Sequence, residues 1–177
     1  VRGQIAIPFS LTKKHSTKNG IIMKRDDKTV LEVSALENGT VIDHIPAGSL
    51  FKIINILSLD KITNRITFGT NLESKRIGTK ALIKIADMEV DRHYLSRIAL
   101  FAPEARLSYI KNFEVAEKIK LTVPDTIEGG VRCANPVCVT NHEKVTPKFD
   151  VVDKSRITLR CRYCEKITTA DQFEIIK

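Results

Sequence analysis

Residues 40–59, TVIDHIPAGSLFKIINILSL, change period half-way along. The first six, Thr40 to Ile45, are rich in β-branched and apolar residues and read as a strand. Pro46 ends it, because its ring carries no N–H for a ladder. Over residues 47–59 the spacing turns helical. Leu50, Ile53, Ile54 and Leu57 fall at i, i+3, i+4 and i+7, with Phe51 widening the stripe. On the N-terminal side, residues 29–36 (TVLEVSAL) predict another strand, joined through the turn signal Glu37-Asn38-Gly39. On the C-terminal side, residues 64–71 (NRITFGTN) and 80–85 (KALIKI) predict strands. In the second, Ala81, Ile83 and Ile85 face one way and Lys80, Leu82 and Lys84 the other. Residues 91–101 (DRHYLSRIALF) predict a helix with Tyr94, Leu95, Ile98 and Phe101 on its apolar face. Asp91 suits its N-terminus and Pro103 stops it. Short strands follow at 105–110 and 113–117. The order over residues 40–117 is therefore strand, helix, strand, strand, helix, strand. That is a split β-α-β arrangement of the α+β class, an antiparallel sheet with both helices on one face.

The rest of the chain supplies limits. Its 177 residues give room for one large domain or two small ones, and 42% hydrophobic with 28% charged residues excludes a disordered or fibrous chain. The longest strongly apolar stretch, residues 49–59, is broken by Lys52 and Asn55, well short of the roughly 18 residues of a membrane span. The N-terminal residues show no secretory pattern, so a soluble cytoplasmic protein without a membrane partner is expected. The formal net charge of +8 first suggests nucleic acid, but its distribution argues otherwise. Residues 1–23 carry Arg2, Lys13, Lys14 and Lys18 and no acid; residues 24–124 carry 16 bases against 13 acids, and residues 125–177 carry 9 against 8. Half the excess thus lies in a short polar arm, residues 1–23, expected to be flexible, with Met23 as an alternative start. A first domain over 24–122 and a second over 123–177 follow, joined by the Pro- and Gly-containing residues 121–130, a linker by composition.

All four cysteines fall in the second domain, as Cys133-x4-Cys138 and, after 22 residues, Cys161-x2-Cys164. Two close pairs on tight turns, separated by a longer segment, suit a tetrahedral four-thiolate zinc site. Four thiolates leave no open coordination position, so the ion is expected to be structural. Two disulfides would suit an exported chain, and free thiols would not cluster in pairs; His142 is near enough to compete as a ligand. Between and after the pairs, residues 148–152, 156–161 and 173–176 alternate like strands. So small a module has too little apolar material to fold without the ion.

In the first domain, Asp43-His44 is a possible acid/base pair, yet neighbours on a regular strand face opposite sides. No nucleophile stands with them and no Gly-rich phosphate loop is present, so the chain is not expected to be an enzyme. Lys80 and Lys84 share one strand face, about 13 Å apart along it. They suit either a polyanion such as a nucleoside triphosphate or a solvent-facing edge. A zinc-ribbon nucleic-acid binder is the competing function. The near-neutral charge of residues 125–177 speaks against it, as does Tyr163 being the one aromatic inside either cysteine turn.

Taken in order, residues 39–47 (GTVIDHIPA), Arg65-Ile66-Thr67, Lys80-x-Leu82-Ile83-Lys84-Ile85, Ala102-Pro103 and Ile110-x-Asn112 with Glu114-Val115 resemble the aspartate carbamoyltransferase regulatory chain. Cys133-x-Asn135-x2-Cys138 and Cys161-x-Tyr163-Cys164-Glu165-Lys166 continue the resemblance, which spans about residues 33–170. It implies a non-catalytic subunit of two domains, an α+β sandwich and a small zinc-bound β domain. The first would bind nucleotide effectors, CTP and ATP with UTP as a further candidate, and pair with a second regulatory chain. The second would dock onto the catalytic chain. By position the resemblance implies an effector pocket of Val33, Ser34, Ala35 and Leu36, then Val41, Asp43 and His44, with Asp43 near the ribose hydroxyls and His44 near the ribose or phosphates. Lys80 and Lys84 would reach ribose and base, Lys118 the triphosphate, and Ile110, Phe113 and Val115 the base. One structural zinc would sit on Cys133, Cys138, Cys161 and Cys164. The chain departs from the family at Phe113, where Tyr is usual, and at Ser34, Glu37 and Ser108; these positions bear on which nucleotide is preferred.

Overall fold

The computed structural model of the chain describes residues 35–176. The arm over 1–23, Met23, most of the strand expected over 29–36, and Val33 and Ser34 lie outside the described residues. Ala35 and Leu36 are irregular chain.

The central strand β1 (Gly39–Pro46) pairs antiparallel with β3 (Gly78–Ala86) on one side and β4 (Arg106–Lys111) on the other. β2 (Ile66–Ser74) closes one edge and β5 (Glu114–Lys120) the other, giving the order β2-β3-β1-β4-β5. Helix α1 (Leu50–Ile56) connects β1 to β2, and α2 (Leu95–Phe101) connects β3 to β4. The expected split β-α-β arrangement is therefore present, with β5 added at the edge. Thr40, Ile42, Ile45, Ala81, Ile83, Ile85, Leu107 and Tyr109 are buried on one face, packed with Leu50, Ile53, Ile98 and Leu100 from the helices. Val41, Asp43, Lys84, Arg106 and Ser108 alternate onto the opposite, open face, as a strand's two-residue period requires.

The first helix is shorter than its periodicity predicts. A single 3-10 turn (Ala47–Ser49) leads into α1, and Ser58 in the left-handed region (φ 50) ends the run before a second turn, Leu59–Lys61. Leu50, Ile53, Ile56 and Leu57 form its buried face, whereas Phe51 is exposed and meets Phe68 of β2 edge to face at 6.4 Å. Phe51 lies about 100° around the helix from Leu50, so it misses the stripe. In the second helical stretch the Asp91 side chain accepts from the His93 N–H at 2.9 Å, which caps the 3-10 turn Arg92–Tyr94 that opens α2.

The remaining residues form a second antiparallel sheet, β6 (Thr126–Glu128), β7 (Lys148–Asp153), β8 (Thr158–Cys161) and β9 (Ile167–Thr169) in that order. The stretch expected as a linker contains β6, and Leu121, Val123 and Ile127 bury themselves in the core. Composition alone hides this, since Pro and Gly flank a short alternation of apolar residues. The C-terminal stretch expected as a strand makes one isolated bridge, Val131 with Ile175. The two sheets share one continuous apolar cluster, with Phe101 against Phe173 edge to face at 6.0 Å.

Gly39 opens β1 at φ 133, and a Cβ there would overlap the Ile85 carbonyl oxygen. Gly39→Ala should therefore lower unfolding free energy by at least about 2 kcal/mol, as backbone strain and steric overlap add. Denaturant titration of the pair of proteins checks this; an unchanged midpoint would show that β1 and β3 can separate without penalty.

Candidate functional site

Two groupings of chemistry-bearing side chains stand out. The first is the cysteine cluster. Cys133 lies in the loop after β6, Cys138 precedes the 3-10 turn Val139–Asn141, Cys161 ends β8, and Cys164 sits in the β8–β9 turn. Local hydrogen bonds shape both knuckles. Asn141 Nδ2 donates to the carbonyls of Cys133 (3.0 Å) and Asn135 (2.8 Å), and the Cys138 N–H donates to Asn135 O at 3.0 Å. In the second knuckle the Glu165 N–H donates to Cys161 O at 2.9 Å, with Glu165 at φ 60.

The four Sγ atoms lie within 4.8 Å of one another. Cys133 and Cys164 are 3.5 Å apart and Cys138 and Cys161 3.8 Å. A disulfide would need about 2 Å. A tetrahedron of thiolates about 2.3 Å from one zinc ion has edges of about 3.8 Å, which these separations fit. Burial pushes the Cys133 and Cys161 thiols up, which opposes ionisation of these two sulfurs. Cys164 behaves otherwise: burial opposes ionisation, but the Lys166 N–H and neighbouring groups outweigh it and hold the thiol at about 7. A divalent cation supplies the charge that lets all four ligate. His142 is not a ligand; its Nε2 lies 2.7 Å from Pro136 O.

The second grouping lies on the open face of the first sheet. Val41, Asp43 and His44 of β1, Arg106, Ser108 and Ile110 of β4, and Val115 and Lys118 of β5 line a cavity of about 170 Å³. Register builds it in three ranks. Asp43 stands opposite Arg106; Val41 opposite Ser108, which faces Lys118; and Ile110 opposite Val115. A bulge between Ile42 and Ile45 brings Asp43 and His44 together, against the expectation from regular alternation. With His44 at φ 61, its N–H donates to Asp43 Oδ1 at 2.7 Å. Its Nδ1 is buried 3.1 Å from Asp43 Oδ2, without the alignment of a hydrogen bond.

Lys80 Nζ reaches both Asp43 oxygens, at 2.9 and 3.0 Å. Burial by itself would raise the Asp43 carboxyl, but the Lys80 hydrogen bond, the His44 N–H and the Lys80 charge outweigh it and hold it below its usual range. Burial lowers the Lys84 ammonium from its usual value, against the pull of Asp43.

Of the expected pocket residues, Val41, Asp43, His44, Ile110, Val115 and Lys118 share this cavity, and Lys80 joins through Asp43. Ala35, Leu36, Lys84 and Phe113 do not line it. Phe113 is 63% exposed in a left-handed two-residue turn with Asn112, its N–H donating to Glu37 O at 2.9 Å. Ser108, a departure that bears on nucleotide preference, lines the cavity too, and so does Arg106, which the sequence reading does not single out. Counting back by twos from Ile110 would have found both.

Residues 31–122 match the family model of the aspartate carbamoyltransferase regulatory chain, allosteric domain, and residues 125–174 that of the same chain's metal binding domain. Relatives named aspartate carbamoyltransferase regulatory chain include one from Parabacteroides distasonis, 46% identical over 81% of this chain and 94% of the relative. One from Porphyromonas gingivalis is 46% identical over 87% of this chain and all of the relative, and one from Pyrococcus abyssi 45% identical over 82% and 96%. The chain belongs to this regulatory-chain family, and it is a non-catalytic chain whose metal binding domain brings four cysteines close enough to hold one metal ion, consistent with a structural zinc. No helix among the described residues is long and apolar enough to cross a membrane.

Two outcomes follow. Removing the metal with a chelator, or Cys161→Ser, should unfold the β6–β9 sheet at 25 °C, since structural zinc contributes on the order of 10 kcal/mol in small modules. Metal analysis with far-ultraviolet circular dichroism reads this, and a metal-free chain with an unaltered spectrum would contradict it. Asp43 should stabilise the fold above about pH 4, the usual carboxylate value, because its folded pKa is depressed. The stability difference between the wild type and Asp43→Asn should then shrink as pH falls below that value. A difference constant from pH 7 to pH 3 would exclude the ion pair as its source.

Proposed function

We propose that this member of the aspartate carbamoyltransferase regulatory-chain family binds nucleoside triphosphates in the cavity between β1, β4 and β5. It passes their effect to a catalytic chain docked on its zinc module. CTP and ATP are the effectors in this reading, with UTP as a third. The chain works as a regulatory dimer in the cytoplasm, with residues 24–122 as the effector domain and 123–177 as the docking domain.

One observation carries the reading. Three strands bring Val41, Asp43, His44, Ile110, Val115 and Lys118 around one cavity, with Lys80 tied to Asp43 at its side. In this reading the carboxylate receives ribose hydroxyls, while His44 and Lys118 face the phosphates. Lys80 and Lys84 contact ribose and base, and Ile110 and Val115 flank the base together with residues 33–36 and Phe113. An effector acts because it binds the two quaternary states with different affinity, a coupling commonly of about 1–3 kcal/mol.

Assembly with a candidate catalytic chain, assayed for aspartate saturation with and without CTP and ATP, tests this. A shift in saturation is expected. Lys118→Ala should weaken nucleotide binding severalfold by calorimetry while leaving zinc content and assembly intact. Assembly with no nucleotide response would leave the docking role and remove the effector role.

A further inference from the structure

Arg106 stands directly opposite Asp43 in the pairing of β1 with β4, and directly opposite Lys120 in the pairing of β4 with β5. An opposite-charge pair facing across two strands normally closes, and a like-charge pair weakens the sheet. Asp43 does not close on Arg106. Both its oxygens are held by Lys80, and one also accepts the His44 N–H. Among the described residues, the side chains of Arg106 and Lys118 have no ion-pair or hydrogen-bond partner, yet both line the cavity. Arg106 is half-buried there, with its like-charged neighbour Lys120 beside it on β5. The cavity is therefore graded. Cations gather at the Asp43–Arg106 rank, a hydroxyl and an ammonium occupy the Ser108–Lys118 rank, and the Ile110–Val115 rank is apolar. Successive ranks are two residues apart, about 7 Å.

We propose that Arg106 is a phosphate-binding residue of this cavity, gripping together with Lys118 the polyphosphate chain of a nucleotide whose ribose hydroxyls lie at Asp43 and whose base lies toward Ile110 and Val115. The proposal rests on the nucleotide reading for the nucleoside end, and on the unpaired guanidinium for the anion end. A guanidinium fork offers two parallel N–H donors to two phosphate oxygens, which an ammonium does not. A bound polyphosphate also relieves the repulsion between Arg106 and Lys120 by placing negative charge beside them. Arg106 thereby selects for the number of phosphates, a property separate from recognition of the base.

The test is calorimetric titration of the full chain with CTP, CMP and inorganic tripolyphosphate, in the wild type, Arg106→Gln and Arg106→Lys. Arg106→Gln should weaken CTP and tripolyphosphate about tenfold, the loss of roughly one charge-assisted interaction, and CMP far less. The CTP-to-CMP affinity ratio then falls. Arg106→Lys should recover part of the loss, because charge returns without the fork. The salt dependence of tripolyphosphate binding should also flatten in Arg106→Gln. An Arg106→Gln chain with unaltered melting temperature, zinc content and CTP-to-CMP ratio would overturn the proposal while leaving the nucleotide reading standing. Tripolyphosphate binding that depends on Arg106, with no CTP binding stronger than it, would uphold the anion site and remove the nucleotide reading. Binding of neither ligand by the wild type would remove both.

Discussion

β1 has neighbours on both sides, so each of its side chains is committed either to the core or to the open face of the sheet. Strict alternation from Ile42 would send Asp43 outward, His44 inward and Ile45 outward. The bulge prevents that. It takes up one residue, returns Ile45 to the core where it is fully buried, and leaves Asp43 and His44 side by side. The strain is carried by His44 in the left-handed region, at a penalty of order 1 kcal/mol. In exchange the core keeps two isoleucines from one strand, and the open face gains an ordered carboxylate. Lys80 reaches that carboxylate from β3, and Arg106 is left without an ion-pair partner among the described residues.

The zinc module follows a different rule. Its sheet is small, and Phe149 and Leu159 are among the few large side chains fully buried in it. Cys161 pairs across β7–β8 with Phe149, so the metal ligand and the hydrophobic anchor share one rung of the ladder. The ion and the packing therefore stabilise the same residues. Contact between Phe101 and Phe173, and the Arg97 side chain against Gly130, join this module to the helices of the first sheet.

Local periodicity made most of the fold legible. The switch from period two to period 3.6 at Pro46 marked the first strand and helix, and cysteine spacing marked the metal site without help from the fold. What stayed hidden depends on backbone conformations that side-chain identity does not announce. The turn at Asn112-Phe113 has both residues at positive φ, a conformation usually supplied by Asn-Gly, and Phe113 was placed in a strand for that reason. The bulge at His44 left no mark in the alternation. Strand β6 was masked by its flanking Pro and Gly. Among the cavity residues, family resemblance pointed to Val41, Asp43, His44, Ile110, Val115 and Lys118. Arg106 emerged only from register, because its significance lies in which partner Asp43 chose.

The pairing of β1 also sets an order of events during synthesis. β1 emerges first, yet its ladder partners are Lys80 to Ala86 and Arg106 to Ile110. At ribosomal rates of about 5–20 residues per second, the completed central strand waits several seconds for its second neighbour. Until a neighbour forms, Ile42 and Ile45 present apolar side chains on one face of a strand with both backbone edges open. The β2–β3 hairpin, whose strands are joined by a short turn, closes within microseconds of its own synthesis and can capture β1 along one edge. The other edge stays available to any nascent strand until β4 arrives, so the opportunity for mispairing on the ribosome persists through the window between Ala86 and Arg106.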